Sequence, residues 1–309
     1  MIECFRRVVA YAVFCLLALG ALAAPRVTHV FIISIDGGKP AVIQQSAMPV
    51  LANLVVEGAH TWVANTIFPS TTLPAHTSML TGVGPDKHKV LWNDWKPDAG
   101  VVRVPTVFSE AKAAGFSTAM FVGKEKFRQL VQSNSVDEFS YDRAKAHEVT
   151  KTENGVTNLV KEDAIFFEAV AWDAAAYIAR MKPNLCFIHF TETDSMGHEF
   201  GWGSAQQIAA FETTDKAIGV VLKAIREAGI GGDSVLIITA DHGGHGRGHG
   251  TRSLEDMHIP WVAWGKGVKR HFEITEPVTT CDTAATALWL LGVNYPASLD
   301  GHPVTSAFE

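Results

Sequence analysis

Between Val235 and Gly250 an apolar, β-branched run stops abruptly. The chain continues Thr-Ala-Asp-His-Gly-Gly-His-Gly-Arg-Gly-His-Gly. Val235 to Ile238, apolar with no polar alternation, reads as a strand buried on both faces, as in a parallel sheet. Such a sheet is covered by helices, so this run restricts the chain to an α/β design. Asp241, His242, His245 and His249 then fall just past the strand's carboxyl end, the edge where such sheets carry ligand sites. Core packing has no use for four ligand-type side chains spaced by glycines; metal binding does.

The rest of the chain repeats the pattern. His29–Ile35 reads as a strand ending in Asp36-Gly37-Gly38, followed by a helix from Met48 to Glu57 that Gly58 stops. A short helix over Pro74–Leu80, a helix over Val107–Ala114 and a strand over Ser117–Val122 come next. Phe167, Val170, Ala171, Ala174, Ile178 and Met181 form one apolar helical stripe, and Pro183 ends it. Strand Leu185–Phe190, helix Gln206–Ala228, strands 235–239 and Trp261–Trp264, and helix Thr283–Leu291 complete the series. The expected fold is a mostly parallel central sheet with helices on both faces, in one domain over residues 24–309. The polar stretch 133–162 shows no periodicity and reads as an insertion or lid.

Hydrophobic residues make up 47% and charged residues 19% of the 309, a globular balance that excludes a disordered polymer. Residues 1–23 read as a signal peptide: Arg6 and Arg7, an apolar run from Val8 to Leu19, then Ala21-Leu-Ala23 as cleavage site. That run is too short for a lasting membrane span, so export to the periplasm or extracellular space is expected. Losing Glu3, Arg6 and Arg7 shifts the formal net charge from −6 to −7, which argues against binding a nucleic-acid polymer. Cys186 and Cys281 remain, either as a disulfide or as two buried thiols.

Three strands end in an acidic residue: Asp36, Asp194 and Asp241, the latter two followed closely by His198 and His242. A lone Asp-Gly is ordinarily a turn former. Three carboxylates at sheet edges are harder to assign that way. Asp194 and His198, four apart, would share one helix face, and carboxylate with imidazole is an ordinary ligand set for Zn²⁺, Mn²⁺ or Fe. Thr72 precedes Pro74 at a helix start, where free N–H groups favour anions. It reads equally as nucleophile or as N-cap.

In this order, Asp36, Thr72, Asp194 with His198, Asp241 with His242, and His249 resemble the alkaline phosphatase superfamily. Thr72-x-Pro-x-His-x-Ser-x-x-Thr-Gly82 is similar to its nucleotide pyrophosphatase/phosphodiesterase branch, and the resemblance spans residues 29 to 302. It implies a three-layer sandwich and two divalent ions, zinc first and Mn or Fe as alternatives. Asp194, His198 and a later histidine would hold one; Asp36, Asp241 and His242, completed by the Thr72 oxygen, would hold the other. The family's His-Gly, spacer, Met and apolar strand match His249-Gly250, Met257 and Trp261–Gly265, which selects His249 over His245, His258 and His302.

Asn93 matches the asparagine that bonds a phosphoryl oxygen, with the Leu73 N–H as its partner donor; by itself it reads as a turn residue. The implied activity is a secreted two-metal phosphodiesterase, acting on a small phosphate ester through a phosphothreonine at Thr72. Alternatives are a phosphomonoesterase, a phosphonate hydrolase or an inactive metal-binding module. Leu73 stands where nucleotide-cleaving relatives place an aromatic residue, leaving Trp92, Trp95, Phe127 or Trp202 to stack a base. The arginine of classical alkaline phosphatases is missing. Lys124 and Arg128 read as a solvated helix face, with compensation for that arginine as the alternative, and His76 reads as a packing or ligand-supporting residue. No Cys-x-Pro-x-Arg segment supports a sulfatase. Oligomeric state is left open.

Overall fold

Apolar runs too short for helices but rich in Val, Ile and Phe become the central strands, because a buried strand must bury both faces. The computed structural model describes residues 27–141, 146–153, 156–163, 166–294 and 297–309, so the expected signal segment 1–23 lies outside it. The strands are β1 (His29–Ile35), β2 (Ala59–Asn65), β3 (Thr118–Val122), β4 (Glu138–Tyr141), β5 (Ala146–Glu153), β6 (Val156–Asp163), β7 (Leu185–Phe190), β8 (Ser234–Thr239), β9 (His258–Gly265) and β10 (Phe272–Glu273). The main helices are α1 (Pro49–Val56), α2 (Thr72–Thr81), α3 (Val107–Ala113), α4 (Phe166–Met181), α5 (Glu192–Phe200), α6 (Ala205–Glu227) and α7 (Asp282–Leu290).

Eight strands form one sheet in the order β10-β2-β9-β8-β1-β7-β3-β4. β1 sits between β7 and β8, parallel to both, with Ile33 opposite Ile188 and Ile238. β9 is antiparallel to both β8 and β2. Period-two alternation splits β1 between two cores: Val30 and Ile32 join Leu73, Met79, Phe108 and Leu288, while Phe31, Ile33 and Ile35 join Leu54, Ile178, Phe211 and Ile218. Helices therefore cover both faces, the three-layer α/β sandwich expected from sequence.

Some boundaries differ from expectation. α2 begins at Thr72, two residues before the expected start, and Gly82 ends it in the left-handed region at φ 69°. β2 and β10 were not expected; β2 is partly exposed and carries His60, Thr61 and Trp62 in place of an apolar run. Segment 133–162, expected to be irregular, contains β4 on the sheet edge and most of the antiparallel β5–β6 hairpin, with residues 142–145, 154 and 155 outside the described set. Cys186 and Cys281 are buried free thiols, so the disulfide alternative is set aside. Among the described residues no helix is long and apolar enough to cross a membrane.

Candidate metal centre

Parallel pairing of β1, β7, β8 and β3 puts their carboxyl ends on one edge, and the functional side chains leave from there. Asp36 follows β1, Lys124 follows β3, Asp194 and His198 ride on α5 after β7, and Asp241 and His242 follow β8. The glycines after β8 permit close approach. A Cβ on Gly244 would overlap the Trp202 indole, and one on Gly243 the Glu255 carbonyl. Trp202 is thereby spent on packing: it lies edge-on to His198 and His249 and donates Nε1–H to the Gly37 carbonyl at 3.1 Å.

The structure brings the sequence candidates into two groups. Ligand atoms of Asp194, His198 and His249 lie within 4.8 Å of one another, as do those of Asp36, Asp241 and His242. In the first, Asp194 Oδ1 is 3.3 Å from His198 Nε2 and 3.6 Å from His249 Nε2. In the second, His242 Nε2 is 3.4 Å from Asp36 Oδ1 and 3.2 Å from Asp241 Oδ2. His245 is elsewhere, bonded through Nδ1 to Asp256 Oδ1 at 2.7 Å.

The three grouped histidines share one arrangement. His198 Nδ1 meets the Arg247 carbonyl at 3.0 Å, His242 Nδ1 the Gly243 carbonyl at 2.8 Å, and His249 Nδ1 the Ser70 carbonyl at 2.9 Å. A carbonyl only accepts, so each Nδ1 carries the proton and each Nε2 offers a lone pair inward when the ring is neutral. Burial, with His249 alongside, holds His242 down at about 4 and hence neutral. His189 has the opposite tautomer: its Nδ1 accepts the Gly123 N–H at 3.4 Å, so its Nε2–H donates to Asp36 Oδ2 at 2.9 Å.

Lys124 joins the groups. Its Nζ is 2.6 Å from Asp36 Oδ2, 2.6 Å from Asp194 Oδ2 and 3.5 Å from Thr72 Oγ1. The solvated-face expectation is therefore corrected: Lys124 leads into a 3-10 turn, Glu125–Leu130, with Phe127 and Leu130 buried. Arg128 remains exposed beside Glu125. Burial alone would raise Asp36, but the Lys124 ammonium and the His189 bond hold it well below the carboxylate range. Asp194 is also low, because Lys124 and His198 outweigh burial and the Asp36 charge. Asp241 is pushed well above the usual range by burial and then by Asp36.

Thr72 is buried and opens α2, with Thr71 as N-cap residue, so Thr72 does not cap the helix. Asn93 Oδ1 accepts the Leu73 N–H at 2.8 Å. The expectation that this N–H is open to a phosphoryl oxygen is corrected; it orients Asn93 and leaves Nδ2 as the donor. His76 lies in the core, with Nδ1 on the Thr72 carbonyl and Nε2 on Ser34 Oγ, both at 2.8 Å. A cleft of about 520 Å³ lined by Trp95, Lys124, Lys126, Tyr141, Glu192 and Ser195 opens beside the groups. Phe127 is buried against His76 and His189 and offers no stacking face there. His189 and Glu192, whose buried carboxyl is pushed up to about 7, were not sequence candidates, and Lys124 was one only as a substitute for the missing arginine.

Comparison with known proteins places the chain in a family and identifies its fold. Residues 30–256 match the family described as type I phosphodiesterase / nucleotide pyrophosphatase. GPI ethanolamine phosphate transferase 1 of Saccharomyces cerevisiae is 23% identical over 278 residues, which cover 82% of this chain and 29% of that protein. The chain thus spans under a third of that relative's length. Among solved structures, murine ectonucleotide pyrophosphatase / phosphodiesterase 5, in an inactive form with AMP, aligns over 91% of this chain and 100% of its own, with TM-score 0.73 and 14% identity. A 2-O GAG sulfatase aligns over 91% and 74%, with TM-score 0.68 and 18% identity. At these identities the likeness establishes the fold, the alkaline-phosphatase-like sandwich that the sequence resembled.

Proposed function

This chain belongs to the type I phosphodiesterase / nucleotide pyrophosphatase family, and from that footing we propose that it is a two-cation phosphoric ester hydrolase with Thr72 as nucleophile. One observation carries the reading. Asp36 Oδ1, Asp241 Oδ2, His242 Nε2 and Asp194 Oδ1 are buried without a hydrogen-bond partner, and all belong to the two converging groups. Each unsatisfied buried acceptor costs about 1–3 kcal/mol, so the cluster calls for cations. Mixed carboxylate and imidazole donors suit zinc, with Mn²⁺ or Fe as alternatives. Asp194, His198 and His249 would hold one ion; Asp36, Asp241, His242 and the Thr72 oxygen would hold the other. Bound there, two divalent ions would supply the charge that makes a threonine hydroxyl acidic and stabilises a departing oxygen.

The chain's own residues carry the bond changes. The Thr72 Oγ–phosphorus bond forms as the bond from phosphorus to the leaving oxygen breaks. The hydroxyl proton passes to solvent, and the leaving oxygen takes one from water. Asn93 Nδ2, oriented through Leu73, donates to an equatorial oxygen. Water next attacks the phosphothreonine, releasing phosphate ester and returning a proton to Thr72. Two displacements give net retention at phosphorus. The substrate is a small phosphate ester, with diesters preferred over monoesters, and residues 1–23 would direct the protein out of the cytoplasm.

The similarity to an ethanolamine phosphate transferase over 82% of this chain favours a second reading, in which an alcohol replaces water in the second step. Initial rates of the zinc-loaded protein on bis-p-nitrophenyl phosphate, p-nitrophenyl phosphate and p-nitrophenyl thymidine monophosphate test both, with Thr72→Ala as control. Diester turnover that disappears in Thr72→Ala is the expected result. Product diverted onto added ethanolamine or glycerol would favour transfer. Silence on all three esters would bring forward a phosphonate substrate or an inactive binding module.

A further inference from the structure

Lys124 touches one ligand of each cation group and the nucleophile at once. The oxygens it takes are Oδ2 of Asp36 and Oδ2 of Asp194; the oxygens without partners, turned toward the histidines, are Oδ1 of the same residues. Its ion pairs and the cation groups therefore use different lone pairs and can coexist. Two carboxylates already neutralise one ammonium, so the third approach, to Thr72 Oγ1, is not needed for charge balance. The side chain is 18% exposed and lines the cleft beside the cation groups.

We propose that Lys124 is a third, protein-borne cation of the reaction centre: a catalytic residue that bonds the Thr72 oxygen and takes up negative charge on the phosphoryl group during attack. This rests on the hydrolase reading above. Lys124 transfers no proton; the bonds made and broken are those already described. A charge at the nucleophile counts most for a phosphomonoester dianion and less for a diester monoanion.

The test compares full-length wild type, Lys124→Met, Lys124→Arg and Thr72→Ala, measuring zinc per chain by mass spectrometry and kcat and KM on the monoester and diester. Lys124→Met should keep two zinc ions and lose about 100-fold in kcat with little change in KM, as for removal of one transition-state donor. The monoester should lose more than the diester, and Lys124→Arg should recover part of the loss. A Lys124→Met enzyme as fast as wild type, holding zinc as tightly or tighter, would make Lys124 a placeholder and overturn the assignment. Loss of zinc from both Lys124 variants would make it a structural counter-ion and overturn it equally. Inert wild type, or an active Thr72→Ala, would bring down the hydrolase reading itself; inactive Thr72→Ala beside intact Lys124→Met removes only Lys124.

Discussion

Replacing Asp241 by asparagine separates what the fold gains from this carboxylate from what a cation gains from it. Asp241 Oδ1 accepts the Gly37 N–H at 3.1 Å and the His242 N–H at 3.0 Å, and an amide oxygen keeps both. Oδ2 lies 3.2 Å from His242 Nε2, and neither atom has a hydrogen-bond partner. An amide NH₂ in that place supplies His242 with a donor. Because burial and Asp36 raise the folded pKa of Asp241, the folded state binds the proton more tightly than the unfolded state. Wild-type stability must then fall as pH rises from the usual carboxylate range through the folded pKa, while the variant has no such loss.

In EDTA at pH 8, Asp241→Asn should therefore be more stable by about 1–3 kcal/mol, from one hydrogen bond gained and the pH-linked loss of the wild type avoided. The gap should narrow toward pH 5. With zinc the order should invert, since a ligand at 1,000 times its Kd adds about 4.1 kcal/mol to wild type and little to a variant short of one ligand. Urea unfolding followed by tryptophan fluorescence at both pH values, with and without zinc, reads all four numbers. A variant less stable than wild type in EDTA at pH 8 would refute the reasoning, because the carboxylate would then be serving the fold.

Other expectations rest on single contacts. Asn93→Ala should lower kcat about 100-fold with KM little changed; unchanged kcat in steady-state assays would leave Asn93 a turn former. Gly244→Ala drives a methyl into Trp202 and should cost about 1–3 kcal/mol, seen as a lower melting temperature and altered tryptophan emission. His88, 5% exposed, accepts the Val90 N–H at Nδ1 and donates Nε2–H to Ser78 Oγ, both at 3.0 Å. Burial holds it down at about 4, so its contribution of about 2–3 kcal/mol is present above pH 6.5 and lost as pH falls toward 4. Unfolding curves of His88→Asn against wild type across that window should show the difference vanish at the acid end.

The sheet was legible where burial forces an apolar code. Leu185–Phe190 and His29–Ile35 were bounded correctly, and β8 nearly so, because strands covered on both faces admit almost nothing polar. β2 escaped because it is partly exposed and its His60-Thr-Trp carries no such code. The β5–β6 hairpin escaped because its residues, among them Glu148, Lys151, Glu153 and Lys161, show no period of two or 3.6. In the site, the acidic residues and histidines announced themselves by chemical type at strand ends. Lys124 sits at the same kind of position, but its sequence reading as a substitute for the missing arginine gave way to a solvated face, since a lysine near a helix is ordinarily solvated. His189, inside the apolar β7, looked like core until its register beside Ser34 and Val122 placed it against Asp36.

The carbonyls that fix the histidine tautomers also bear on the order in which the molecule assembles. His249 depends on Ser70, 179 residues away, and His198 on Arg247, 49 away. Asp36 meets Asp241 only once β1 has docked beside β8. Neither cation group can be complete in a partly folded chain, because loops this distant close only after the sheet has formed. Zinc should accordingly slow unfolding and leave the refolding rate unchanged. A bound cation then marks folding that has finished, and takes no part in starting it.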